Sequence, residues 1–246
     1  MHETMFLCLA VSRRDGGNCI AGLDLDKGKW VRPVISKSRG ALGDSEIVVR
    51  DNKTHELRMM KPLDVLRLPL GETVENRAQP ENRALGSTPA ADCPAILGTA
   101  LSEPLLAEKI RALAETSNWF SLIFGTSTNC VPHSAIEEEP PSHSLCIVRP
   151  RNLLWARSKS YHGTPRIVGW FTFGEDNTRY ALPMTDIDWE PKLLGLTLKK
   201  PTLSGSQSPG LDPTKEILLT VRLGDHFRET GNHYKLIAGV LLLPKK

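Results

Sequence analysis

The chain reads as a mainly β fold with a few helices (α+β), arranged as two small β-barrels joined by a loop and helix segment. Three observations predict it. Short apolar runs alternate with Gly-, Pro- and Asp-rich turns at both ends of the sequence. The middle is acidic, rich in loop residues and carries one helical stripe. A hairpin pattern near the start, built around a glycine and a proline, recurs about 150 residues later.

At 246 residues the chain can bury a sizeable core, and 40% hydrophobic with 24% charged residues is an ordinary globular composition. A net charge of +3 is too mild to identify a nucleic-acid binder by itself. Its distribution is more telling. Residues 1–70 carry 12 basic and 9 acidic side chains, residues 71–143 carry 4 and 10, and residues 144–246 carry 15 and 9. Five scattered cysteines, Cys8, Cys19, Cys93, Cys130 and Cys146, include no C-x-x-C pair, which argues against a zinc knuckle or a disulfide framework. Cys8 and Cys146 lie in apolar runs and read as inert core residues. No secretory signal is evident, and the runs Met5–Val11 and Leu236–Leu243 are far below the roughly 20 residues a membrane helix needs. A cytoplasmic protein is expected.

Met5–Val11 is a continuous apolar run, the pattern of a buried strand. A turn-rich basic connection, Ser12–Asn18, leads into a hairpin from Cys19 to Val34 about the turn Asp26-Lys-Gly-Lys29. After a polar loop from Ser36 to Ser45, Glu46–Arg50 and Val65–Leu68 read as further strands. Four or five short strands in about 70 residues suit a small barrel. Gln79–Asn82 and Ser87–Pro94 are loop-like. Ser102 and Pro104 then start a helix of about 103–116, with Leu106, Ile110 and Leu113 on one core-facing stripe. Glu137–Glu139 and Pro140-Pro141 end the acidic middle. Ser144–Val148, Arg166–Phe173 and Arg179–Met184 read as strands, and Thr185-Asp186 caps a short helix running through Leu194. Residues 199–214 form a loop, and Ile217–Leu223 with Tyr234–Leu243 close the chain as a hairpin.

The two hairpins align. Ile20-x-Gly22, a turn and Trp30-x-x-Pro33 match Ile167-x-Gly169, a turn and Tyr180-x-x-Pro183. Glycine within a strand marks a sharp bend or close backbone approach, and proline ends ladder pairing. Each hairpin follows an apolar strand and a basic connection, which implies two copies of one small β-domain. The domains are expected at 1–75 and 144–246, with 76–143 as an acidic connecting segment.

Gly16–Gly22 followed by Gly28–Val34 resembles the opening signature of the dual OB-containing domain family. Asp64–Pro69, Gln79–Asn82, Ser144–Trp155, Thr185-Asp186, Thr220–Phe227 and Tyr234–Ala238 extend the similarity in order along nearly the whole chain. Ile187 stands where the family tends to have proline after the Thr-Asp pair. The resemblance implies two OB-like barrels and a nucleic-acid association, with no catalytic residues to transfer.

Two windows lack acidic residues. Lys27–Gly43 places Trp30 among Arg32 and Lys37, with Arg13 and Arg14 shortly upstream. Pro140–Gly174 interleaves Arg149, Arg151, Arg157, Lys159 and Arg166 with Trp155, Tyr161 and Trp170. Single-stranded nucleic acid is held by such mixtures, cations tracking phosphates while aromatic faces stack on bases. These thirteen residues are the candidate contacts. Trp30 and Trp170, in strands, fit a core position as well as a ligand contact, and Trp155, in the most basic surroundings, is the preferred stacking residue. Asp24-x-Asp26 invites a metal, but aspartate is also the ordinary turn residue there. His226 and His233 complete no zinc spacing, and phosphate-loop, nucleophile-elbow and dinucleotide motifs are absent from the sequence.

The expected function is binding of single-stranded DNA or RNA by tandem barrels, without catalysis, metal or cofactor, as a recognition component of a bacterial multiprotein system. A protein-binding scaffold or adaptor is the alternative, and a small-nucleotide sensor or hydrolase the third reading.

Overall fold

The computed structural model describes residues 2–14, 16–35, 40–86, 93–118, 122–196, 202–205, 208 and 211–245. Lys37, with Arg39 beside it, lies outside the described residues.

In the first half the strands are β1 (His2–Arg14), β2 (Gly17–Asp24), β3 (Lys29–Val34), β4 (Val48–Arg50), β5 (Leu57–Met59), β6 (Asp64–Thr73), β7 (Asn82–Leu85) and β8 (Ile96–Thr99). Five of them close a barrel in the order β1-β2-β3-β7-β6, with β6 returning to β1 and β8 added outside β6. The β3–β7 pairing is parallel, Arg32 lying opposite Asn82, and the other four are antiparallel. The 13 residues of β1 serve two neighbours, its first half pairing with β6 and its second with β2. A bulge between Cys8 and Ala10 turns the strand between them. The barrel therefore runs past residue 75. Its closing strand, Asn-Arg-Ala-Leu, is too polar to announce itself as an apolar run.

Helix α1 (Pro104–Asn118) follows, close to its expected span. Its buried stripe Ala107, Ile110 and Ala114 packs into a cluster that takes Leu7, Leu9 and Val65 from the first half and Ile147, Leu218 and Leu241 from the second. The helix lies in the groove between the barrels. Arg111 fastens it there, its guanidinium pairing with Glu216 and donating to the Pro244 carbonyl.

The remaining elements are β9 (Cys130–Pro132), α2 (His133–Glu138), β10 (Leu145–Val148), β11 (Arg151–Lys159), β12 (Pro165–Phe173), β13 (Thr178–Pro183), α3 (Trp189–Gly195), β14 (Thr202–Ser204), β15 (Lys215–Phe227) and β16 (Asn232–Pro244). Strands β11, β12 and β13 form a meander, while β10, β15 and β16 form a second sheet. A parallel bridge, Met184 to Ile237, joins β13 to β16. With β10 and β11 taken as two halves of one strand broken at Arg149-Pro150, the order is that of the first barrel. Both barrels are OB-like. Strand β14 pairs with β11, so the expected 199–214 loop contains a short strand, and β9 from the connecting segment extends the second sheet beside β16.

The repeated hairpin holds in register. Gly22 faces Cys8 across β1–β2, and Gly169 faces Trp155 across β11–β12. A Cβ at Gly22 would overlap the Leu7 carbonyl oxygen, whereas one at Gly169 would meet the Ile237 methyl at 2.5 Å and the Trp155 ring at 2.9 Å. The first obstacle is backbone and the second is side chain. Gly22→Ala is therefore expected to cost at least about 3 kcal/mol and Gly169→Ala about 1–3 kcal/mol, by the usual scale for overpacking. Urea unfolding midpoints measure both, and equal costs would contradict the assigned close approach.

Candidate nucleic-acid interface

Side chains alternate between the two faces of a strand. In the second meander Leu153, Trp155, Ile167, Phe171, Tyr180 and Leu182 point inward and are buried. The opposite parity is outward, and there Leu154, Trp170 and Ala181 fall in one cross-strand row. Trp170 is 52% exposed and Leu154 41%. A second row, Arg151–Thr172–Arg179, places two cations beside the tryptophan, and Ser158–Arg166 lies toward the other end. The β11–β12 connection adds exposed Lys159 and Tyr161, the latter 85% exposed. Glu175 and Asp176 occupy the β12–β13 turn, at the end where Arg151 and Arg179 lie, while Arg166 and Lys159 lie toward the β11–β12 connection. Arg179, which the sequence marks only as the start of a strand, joins the candidate contacts here. Its signal was its distance of two residues from Ala181, which shares its face.

Two candidate contacts are corrected outright. Trp155 is only 1% exposed, and its indole donates to the Ser208 hydroxyl at 2.7 Å. Its parity is inward, and Gly169 opposite leaves the space its ring fills. Arg32 is fully buried, paired with Glu81 at 3.1 Å and donating to the Ser144 hydroxyl at 2.6 Å. Others are partly engaged. Arg14 pairs with Asp225 at 2.6 Å and Arg149 with Glu216 at 3.2 Å. Arg157 donates to the Leu194 and Leu196 carbonyls, and Arg151 to that of Gly174. Trp30 is half-buried against the shared core, 6.4 Å from the His143 ring. Arg13 is exposed and, with Arg14, Asn18 and Ile187, lines a shallow cleft of about 410 Å³ at the seam of the barrels. The two windows thus do not merge into one groove, because the first is folded against the second barrel.

That seam gathers most of the segments that carried the family resemblance. Asp225 accepts from Arg14 and from the Gln79 amide, and Glu81 accepts from the Ser144 N–H and hydroxyl. Arg222, buried between them, donates to the Arg13 carbonyl, and burial pushes its pKa below the ordinary arginine value. Thr185 to Ile187 is laced to both sides: Arg13 N–H donates to the Thr185 carbonyl, Ile187 N–H to the Val11 carbonyl and Thr185 N–H to the Ile237 carbonyl. The Asp186 carboxylate accepts the N–H groups of Asp188, Trp189 and Val240, each at 2.9 Å, while burial raises its pKa to about 6. The Thr-Asp pair starts α3 without the proline.

Next to the seam, three histidines from separate elements meet. His133 opens α2, His226 ends β15 and His233 begins β16. The His133 and His226 rings stack with centroids 4.0 Å apart and planes inclined by 14°. His233 lies 3.1 Å from His133, Nε2 to Nδ1. Nothing in their spacing along the sequence foretold this meeting. Asp24 does what a turn residue does, accepting from the Asp26 and Lys27 N–H groups. Among the described residues no group of three His, Cys, Asp or Glu is arranged to hold a metal ion. Burial pushes the Cys8 thiol well above its ordinary value and that of Cys146 up to about 12. No helix among the described residues is long and apolar enough to cross a membrane.

A family model described as a dual OB-containing domain matches residues 4–240, spanning both barrels and the helix between them. No curated protein and no solved structure matches the chain. The matched region contains the seam, whose stability is testable. Glu81→Gln removes the carboxylate facing buried Arg32 and is expected to cost about 3–5 kcal/mol, the usual penalty for stranding a buried charge. A loss under about 1 kcal/mol in urea unfolding would show that the pair is not closed to water.

Proposed function

The chain belongs to the dual OB-containing domain family, and on that premise we propose that it binds single-stranded nucleic acid, without chemistry, on the outer β11–β12–β13 face of the second barrel. The supporting observation is exposed Trp170, on the second strand of its barrel, in a row with Leu154 and beside Arg151 and Arg179. In OB-folds the face of strands two and three, with the adjoining loops, is where oligonucleotides lie. A large aromatic held in water there offers a base a stacking surface. Arg166 extends the same face toward the β11–β12 connection, where exposed Lys159 ends β11 and Tyr161 stands in the turn, away from Glu175 and Asp176.

A protein-docking role has one observation in its favour. Leu97, Leu101 and Leu105 are exposed together along β8 and the start of α1, at 49%, 45% and 83%. A partner recovered in stoichiometric amount, insensitive to nuclease and lost in Leu97→Lys, would support it.

The nucleic-acid reading is tested by fluorescence anisotropy with labelled single-stranded DNA and RNA. Binding is expected to weaken steadily as salt rises, because phosphate contacts release counterions. Trp170→Ala is expected to cost about 1–3 kcal/mol of affinity, the scale of one base stack. Trp30→Ala is expected to leave binding nearly unchanged. Absence of binding at low salt, or binding indifferent to Trp170, would refute the assignment.

A further inference from the structure

The outer face of the second barrel does not stop at β13. Val168 faces Pro183 across β12–β13, and one step further the Met184 N–H donates to the Ile167 carbonyl at 2.9 Å. The same register puts Thr185 beside Arg166, although the ladder ends there because the Ile167 N–H turns to the Glu190 carboxylate. On its other edge this segment joins β1 of the first barrel. Ser12 lies opposite Asp186, the Arg13 N–H donates to the Thr185 carbonyl at 2.8 Å, and the Ile187 N–H donates to the Val11 carbonyl at 3.1 Å. Opposed residues of a ladder point to the same side, and the sides alternate along each strand. Thr185 therefore shares its side with Pro183, two residues before it, and so with Val168, Arg166 and Trp170. Arg13, opposite Thr185 and flanked by fully buried Ser12, turns to that side as well. Ser158, Arg166, Thr185 and Arg13 thus form one cross-strand row that begins in the second barrel and ends in the first.

The two arginines of this row are available to a ligand. Arg13 is exposed and Arg166 half-buried, and neither closes a salt bridge among the described residues, whereas Arg14 and Arg149 are tied to Asp225 and Glu216. Their backbones stand two strand spacings apart, about 10 Å. From Trp170 to Arg166 is four residues of β12, about 13 Å. The row between them, Ala156, Val168 and Pro183, carries no charged side chain. The carboxylate that both arginines act on is Glu190. Burial raises its pKa, while the Ile167 N–H, Arg13 and Arg166 draw it down. At 8% exposure it offsets one of the two positive charges from beneath the surface. Asp44 lines the seam cleft with Arg13, but its Oδ1 is taken by the Asn18 amide at 2.8 Å.

We propose, resting on the single-strand reading above, that a strand stacked on Trp170 runs along β12 toward the seam, where Arg166 and Arg13 hold successive phosphates, so that both barrels take part in binding. The first barrel contributes an arginine even though the face of its own second strand is covered. A guanidinium fork matches phosphate oxygens, and each such contact releases counterions without reading a base. Trp170 and the arginine row then have separate tasks, the first stacking a base and the second fixing the backbone. Glu190 opposes the phosphates, so removing its charge strengthens the grip.

The test is anisotropy of labelled dT10 and rU10 with the full chain across a salt series, each variant first checked for an unchanged urea midpoint. Arg13→Ala and Arg166→Ala are each expected to weaken binding about three- to tenfold and to lower the slope of log affinity against log salt by about 0.7, the value for one phosphate on a single strand. Trp170→Ala should weaken binding and leave the slope unchanged. Arg67→Ala removes an exposed arginine of β6 that pairs with Glu3, and serves as the control for bulk charge. It should alter neither quantity. Glu190→Gln should tighten binding, an effect that a merely structural role would not produce. An Arg13→Ala protein with unchanged affinity and slope overturns the two-barrel track, and leaves the single-strand reading standing if Trp170 is still required. Losses in Arg67→Ala equal to those in Arg13→Ala overturn the track as well, reducing it to overall charge. Failure of the unsubstituted chain to bind either decamer at low salt overturns the single-strand reading itself.

Discussion

Arg32 sits in the middle of β3 with no exposed surface, and a guanidinium cannot be left there without a counter-charge. Glu81 supplies it from the turn before β7, and Ser144, at the start of the second barrel, completes the contact by bonding to both. One interaction therefore ties three segments together, the outer two 112 residues apart. Around it Thr220 donates to the Leu9 carbonyl, exposed by the β1 bulge, and the small side chains of Ala10, Ala21 and Ala238 let the barrels approach closely. The charges do not balance locally, with Arg14, Arg32 and Arg222 facing Glu81 and Asp225. Arg222 keeps its charge unfavourably, and two of its nitrogens lack a partner among the described residues.

This seam decides which surface is open. In a lone OB-like barrel the second and third strands would present an outer face. Here every described residue of β2 from Asn18 to Asp24 is buried, and Trp30 is pressed against the shared core. The second barrel's contacts to the first run through β10, β15, β16 and the Thr185–Ile187 segment, and Leu154 and Trp170 on its outer face stay exposed. The tandem arrangement thus covers the second-strand face of one barrel and leaves that of the other open. The polar interior extends to the mouth of the second barrel, where Lys235 donates to the Thr126 carbonyl above the Tyr180 ring, and burial draws its pKa down to about 7.

Much of the secondary structure was legible because it rests on local rules. The apolar run at Met5–Val11, the Asp26–Lys29 turn, the helix expected at about 103–116 and the final hairpin all appear where local pattern placed them, although the helix buries Ala107, Ile110 and Ala114 and leaves Leu106 and Leu113 only partly covered. The repeat of glycine and proline was informative for a physical reason: Gly22 and Gly169 occupy equivalent close approaches in the two barrels. What failed to show was marked by polarity. Strand β7 is Asn-Arg-Ala-Leu, and nothing in those four residues says that they close a barrel.

The side to which each residue turns was harder. In Leu153-Leu154-Trp155 both parities are apolar, so alternation by itself could not choose between Leu154 and Trp155 for the outside. By itself the sequence determined two barrel-like halves, a bridging helix and a supply of cations and aromatics, since each follows from short-range pattern. The tertiary structure alone decided that Trp155 fills the core while Trp170 meets solvent, that Arg32 is a joint, and that His133, His226 and His233 meet. Those outcomes depend on which face a neighbouring segment covers, and that neighbour lies far away in the chain.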